Sequence, residues 1–300
     1  MLSLAFASCS QNSEYVDLED RMHAEETSDA AYVREMTMRL KAYNSRFSLP
    51  SSPERADNSG KNDNKKLTKL EIMKVGLADA KGALCGTIFG GWVGASLGAS
   101  VASADKFVEI LDEKEKDKKK KTLNLSPSVL SISSSQSFKD SIGYYHNMAE
   151  ERLYDMFSRD LRSQSTYDLL LRSNSYLANA SAGYRRMQHM SIFDMQALAD
   201  KLSALRSVSD RPDDDFFDYL DKLKKLAPSD GEYLDYIAEY LYTCVCANVG
   251  DIRAYTLNVL RELDSSNSTM EAKARRVLTQ SVMIAYSSLI YSAQMELSDR

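Results

Sequence analysis

Three histidines, four cysteines and a run of three aspartates are the side chains of this 300-residue sequence best suited to chemistry. His23, His146 and His189 are scattered, and none is read as having a second ligand at helical spacing, so no metal site is expected. Cys244 and Cys246 form a C-x-C pair, which lacks the C-x-x-C spacing of redox centres and the repeated pairs of zinc sites. Positions i and i+2 of a helix point apart, so these two and Cys85 read as buried core thiols. Asp213, Asp214 and Asp215 follow Pro212 and suit a helix N-terminus, where the dipole favours negative charge. No G-x-S-x-G, H-E-x-x-H or P-loop sequence occurs. The expectation is therefore no catalytic residue, no metal and no cofactor, in a protein that is not an enzyme.

The elements that would have to position any site are helices. A hydrophobic content of 43% supports a core, and five prolines with twelve glycines supply too few turns for an all-β fold. A net charge of -5 argues against nucleic acid as a partner. Apolar residues recur at helical spacing in Val33, Met36, Leu40, Tyr43 and Phe47, and again in Ile142, Tyr145, Ala149, Leu153 and Met156. Leu234, Ile237 and Leu241 form a third stripe, and Val277, Ile284 and Tyr291 a fourth. Tyr233, Tyr236 and Tyr240 read as a packing face rather than a carbohydrate site. Ser229 with Glu232, and Ser268 with Glu271, have the spacing of capping boxes.

The expected fold class is all-α: an N-terminal helix, a glycine-zipper helix or helical hairpin, and a C-terminal helical domain. Residues 10–47 form the first helical segment, and 48–66, where Pro50 and Pro53 stop the helix, an exposed linker. Residues 67–112 hold the zipper, 113–137 a charged and Ser-rich linker, and 138–300 the helical domain.

The pattern with the most specific physics is Gly82, Gly86, Gly90, Gly94 and Gly98, one glycine every four residues, extended by Ala78 and Ala102. Each glycine inside a helix costs about 0.5–1 kcal/mol relative to alanine. Close approach of a second helix along the glycine groove compensates that cost. The next row, Ala83, Thr87, Gly91, Ala95 and Ala99, is also small, while Leu84, Ile88, Trp92, Phe89, Val93, Leu97 and Val101 hold the bulk. Gly82 to Ala104 carries no charge over 23 residues, about 34 Å if straight, against a hydrocarbon layer of about 30 Å. Lys74, Lys81, Lys106 and Lys118 to Lys121 flank it and would suit anionic headgroups. Three arrangements satisfy the pattern. The segment inserts and oligomerises in a membrane; it packs against its own protein, as a buried helix or a hairpin centred on Gly91; or it mediates soluble self-association.

The first residues end an apolar run in Phe6-Ala7-Ser8-Cys9, followed by polar Ser10 to Ser13. This resembles the end of a bacterial lipoprotein signal, so residues 1–9 read as its remnant and Cys9 as the lipidated residue. With VGLADAKGALCGTIFGGWVGASLGAS and a Tyr- and Met-containing helical tail, the sequence resembles glycine-zipper lipoproteins of gut Bacteroidales. That group includes secreted antibacterial toxins. The resemblance implies a bacterial envelope lipoprotein at the outer membrane or cell surface, with release to the outside as a further expectation. It also implies membrane lipid as a partner, self-association through the zipper, and a target-cell receptor or an immunity protein. The alternative is a structural envelope lipoprotein whose helical domain binds a partner. In the toxin reading, cleavage at Arg55 in the exposed linker is the step that frees the zipper.

Overall fold

Capping side chains fix where most of the helices start. Thr68 and Glu71 form a reciprocal box, the Glu71 amide donating to Thr68 Oγ1 at 3.2 Å and the Thr68 amide to Glu71 Oε2 at 2.7 Å. The structure is a computed structural model and describes residues 29–47, 67–115, 121–124, 142–187, 190–208, 214–247, 249–265, 272–294 and 296–299. A first helix, α1, covers 29–44, and α2, Lys69–Glu115, starts at the Thr68 cap. Beyond them come α3 (Ile142–Phe157), α4 (Thr166–Ala180), α5 (Ala182–Met187), α6 (Ile192–Arg206), α7 (Phe216–Leu226), α8 (Gly231–Cys246), α9 (Ile252–Asp264) and α10 (Ala272–Gln294). Ser165, Ser191, Asp215 and Asp251 cap α4, α6, α7 and α9 through side-chain oxygens.

The all-α expectation holds for the body of the protein. One addition is a two-stranded antiparallel ribbon, β1 (Lys121–Asn124) with β2 (Glu296–Asp299), which pairs part of the expected linker with the end of the expected helical domain. The 113–137 segment is thus not all linker: 113–115 continue α2, and 121–124 are extended.

Of the three aspartates before α7, Asp215 is the cap, Asp214 pairs with Lys222, and Asp213 lies outside the described residues. Asp215 accepts from the Phe217 and Asp218 amides, and Phe216, Leu220 and Leu223 point inward as their spacing requires. The box expected at Ser229 and Glu232 does not form. Pro228–Asp230 is a 3₁₀ turn running directly into α8, so Ser229 lies inside a turn and its hydroxyl donates to Asp230 instead. The Ser268–Glu271 box lies outside the described residues.

The zipper element and the C-terminal helices share one core. Leu77, Leu84, Val93, Leu97 and Val101 of α2 belong to the same buried cluster as Leu153, Leu198, Leu241 and Leu278 from α3, α6, α8 and α10. Val33, Met36 and Leu40 of α1 join it from outside, against α8 and α9. Asn44 donates to Glu239 at 2.9 Å and to Thr243 at 2.8 Å, and accepts from the Tyr255 hydroxyl at 2.9 Å. The segments separated by composition are therefore joined by burial, with α2 innermost and α3, α6, α8 and α10 packed around it.

Candidate functional site

Gly90 and Gly91 break α2 in two. Gly90 has φ -140° and ψ 19°, and Gly91 has φ 55°, a conformation L side chains rarely adopt. The chain reverses there, and residues 69–89 pack antiparallel against 92–115. Gly82 faces Gly98 and Gly86 faces Gly94, so the pairs are centred on Gly90. A Cβ added to Gly82 would stand 2.7 Å from the Gly98 carbonyl carbon and 2.9 Å from Ala102 Cβ. One added to Gly86 would stand 2.7 Å from the Ala95 nitrogen and closer still to the Gly94 carbonyl. Of the three arrangements open to the sequence, this is the hairpin packed against its own protein, and the helix filling the glycine groove is the second half of α2. Gly90 itself rests on the Met190 side chain, with the added Cβ 2.7 Å from its sulfur.

The charge-free stretch therefore does not run as one rod. Its longer half, from Trp92 to Ala104, measures about 20 Å, which is short of a hydrocarbon layer. Its arms are buried, but its tip is not: Ile88 is 62% exposed, and Phe89, Gly90, Gly91 and Trp92 are half-buried. Trp92 lies 6.1 Å from the Tyr145 ring and 6.3 Å from that of Tyr184. This leaves it partly sheltered between α3 and α5.

Lys74, Lys81 and Lys106, read from sequence as headgroup contacts, are instead buried on the arms. They lie below the tip, where α2 is surrounded by other helices and each finds a polar or aromatic partner. Lys74 donates to the Asp214 carbonyl at 2.7 Å, just before α7. Lys81 donates to the Asp230 carboxylate in the turn before α8. Lys106 pairs with Glu109 at 3.2 Å and sits 4.2 Å over the Tyr219 ring. Asp105 receives Arg206 Nε at 3.1 Å from α6. Buried charges without partners are costly; Lys106–Glu109 lies within one arm, while the contacts to Asp214, Asp230, Tyr219 and Arg206 bind the arms to the surrounding elements.

A second polar cluster joins the hairpin to α3. His146 Nε2 lies 3.5 Å from Asp79 Oδ2 and 3.6 Å from Glu150 Oε2, with His146 and Asp79 side chains fully buried. Ser103 donates to Glu150 Oε1 at 2.7 Å, and Ser100 donates to the His146 carbonyl at 3.0 Å. Both Asp79 oxygens, His146 Nε2 and Glu150 Oε2 have no hydrogen-bond partner among the described residues. Burial first, and the Asp79 carboxylate second, hold the Glu150 carboxyl well above the usual carboxylate range. This cluster corrects the view of His146 as isolated, since Glu150 stands four residues on, on the same face of α3. The His-x-x-x-Glu spacing was the available signal. Asp79 is distant in sequence and joins only through the fold. Among the described residues no group of three such side chains is arranged to hold a metal ion.

Comparisons with protein-family models, with curated proteins and with solved structures find no match to this chain. The geometry alone carries the functional argument.

The five zipper glycines are brought together by the fold, four in two facing pairs and Gly90 at the turn. Cys9 and Arg55 lie outside the described residues. Cys85 and Cys244 are buried as expected, whereas Cys246 is only half-buried. Tyr236 and Tyr240 are packed inside, and Tyr240 shares a hydrogen bond of 2.7 Å with Thr256. A cleft of about 580 Å³ lies between α1 and α9. Arg39 lines it and is held by Glu35 and Glu262 at 2.6 and 3.1 Å, an arrangement that ties two helices together.

Proposed function

We propose that this protein is a membrane-active antibacterial lipoprotein that stores a glycine hairpin inside a helical jacket and delivers it to a target membrane. The observation that carries this reading is the hairpin tip. A charge-free segment folds back on itself by glycine-to-glycine contact, and its apolar turn, with Ile88 62% exposed, reaches the surface of a bundle that buries its arms. Separating the arms from the jacket breaks the Lys81–Asp230 and Asp105–Arg206 pairs; opening the turn at Gly90 and Gly91 then yields one helix long enough to cross a bilayer. Oligomerisation would follow by glycine contacts made between chains in place of those within one chain. Cys9 as the lipid anchor and Arg55 as the cleavage site that separates the hairpin from it complete the proposal.

Trp92 is the only tryptophan in the sequence and lies beside the turn. Full-length protein mixed with anionic vesicles is expected to release trapped dye, with Trp92 emission shifting to the blue and being quenched by lipids brominated in their acyl chains. Unchanged emission with no dye release would end the membrane-active reading.

The second reading is a structural envelope lipoprotein with a permanently buried zipper. It is favoured by the buried pairs along the arms, which stabilise the closed form. In that case Trp92 keeps one environment with and without vesicles.

A further inference from the structure

Three of the four most exposed large apolar side chains among the described residues lie at one end of the bundle: Phe193 at 86%, Ile192 at 73% and Ile88 at 62%. They come from different elements. Ile88 belongs to the hairpin tip, and Ile192 and Phe193 open α6, two and three residues after Met190, whose side chain lies against Gly90. Scattered apolar residues need no explanation, but a protruding group next to a half-buried Phe89 and Trp92 does.

The surrounding charge is specific. Arg185 and Arg186 are exposed on α5, directly after the Tyr184 ring that meets Trp92. On the other side, Arg276 borders a cleft shared with Gly91 and Trp92, and Lys273 borders one shared with Leu84 and Ile88. Both cations are exposed on the first turns of α10. Nearby acids are largely engaged: Asp194 with the Ser191 cap, Asp230 with Lys81, and Glu232 with Arg34 at 3.6 Å. Asp264 lines the first of these clefts and the buried Asp29 the second.

We infer that this end of the closed bundle docks on an anionic lipid surface, before any opening of the hairpin. Ile88, Ile192 and Phe193 enter the headgroup layer, while Arg185, Arg186, Lys273 and Arg276 meet the lipid phosphates. Side chains this exposed stand clear of the surface, which suits a deformable lipid layer, and the flanking cations supply the charge complementarity. The inference takes its occupant from the membrane-active reading, but docking and insertion are separate steps and fail separately.

The test is co-sedimentation of the full chain with vesicles of one part phosphatidylglycerol to two parts phosphatidylcholine, and with phosphatidylcholine alone. Binding is expected to the anionic vesicles and to weaken with salt. Ile192→Ser with Phe193→Ser should weaken it about tenfold or more. Arg185→Gln should weaken it about fivefold. Met38→Ser, at an exposed apolar residue on α1, should leave it unchanged. All these positions are exposed, so circular dichroism and melting should match the parent protein. Undiminished binding of the Ile192/Phe193 variant, equal binding to neutral vesicles, or sedimentation without vesicles would overturn the assignment. Normal docking without dye release leaves this surface standing and removes insertion; dye release with undiminished binding of the variant does the reverse.

Discussion

Gly86 and Gly94 meet backbone to backbone across the hairpin, each occupying the space where the other's Cβ would be. No rotamer change can relieve a clash with backbone, so the two arms would have to separate. A substituent at this point therefore reads out the hairpin contact directly.

Gly86→Ala should destabilise the protein by about 1–3 kcal/mol or more, despite alanine's better helix propensity. Gly90→Ala should be far milder, because the atoms nearest its new Cβ belong to the flexible Met190 side chain rather than to backbone. Gly91→Ala has open space around it, but its φ of 55° imposes backbone strain of about 1–3 kcal/mol. Urea denaturation of the three variants checks the order; equal losses at Gly86 and Gly90 would contradict the pairing.

Lys81 and Asp230 give a second handle on the same arm. The Lys81 side chain is 3% exposed and its carboxylate partner 19%. Asp230→Ala leaves a buried ammonium without its partner, at a cost of about 3–5 kcal/mol. Adding Lys81→Met should recover most of it, and a double-mutant cycle measures the coupling. No recovery in the double variant would mean that Asp230 acts through the turn before α8.

Glu150 sets a pH dependence of definite sign. Its folded-state pKa is raised by burial and by Asp79, so the folded protein binds more protons than the unfolded chain. Its contribution to stability is fully present below the ordinary carboxylate pKa of about 4.3 and is lost as pH rises through the higher folded value. Glu150→Gln keeps an acceptor for Ser103 without the charge. It should raise the melting temperature at pH 8 by about 2–4 °C for each kcal/mol relieved and flatten the dependence on pH. A lower melting temperature at pH 8 would show that the carboxylate is needed, as in an ion pair with His146.

The thiols should divide by burial. Cys244 is pushed up to about 12, chiefly by desolvation, so its thiolate at pH 8 is scarce. Among the three described thiols, alkylation followed by peptide mass mapping should label half-buried Cys246 first and Cys244 much more slowly. Cys85, inside the hairpin, should stay unlabelled in the closed protein and gain label when anionic vesicles are added. Rapid labelling of Cys85 without lipid would mean that the hairpin is already open in solution.

Much of the local structure was legible in the residues themselves. Spacings of three, four and seven placed Val33, Leu153, Leu241 and Ile284 on buried faces, because helix geometry fixes which positions share a face. The four-residue glycine period identified a groove requiring a close helix, and Gly91 marked a place where the chain could reverse. The tertiary structure decided which helix fills that groove. A stripe of small residues accepts any backbone that comes near, so the pattern is the same for a partner molecule, a membrane oligomer or the chain's own second arm. The lysines went astray for a related reason. Lys81 is a headgroup contact or a buried ion-pair partner depending on whether Asp230, 149 residues away, is beside it. His146 gained its meaning in the same way: Glu150 was readable four residues on, but Asp79 reaches it only because the hairpin lies against α3. Periodicity is a property of one helix, while burial and pairing belong to the contacts between helices, and those are made only when the chain has closed.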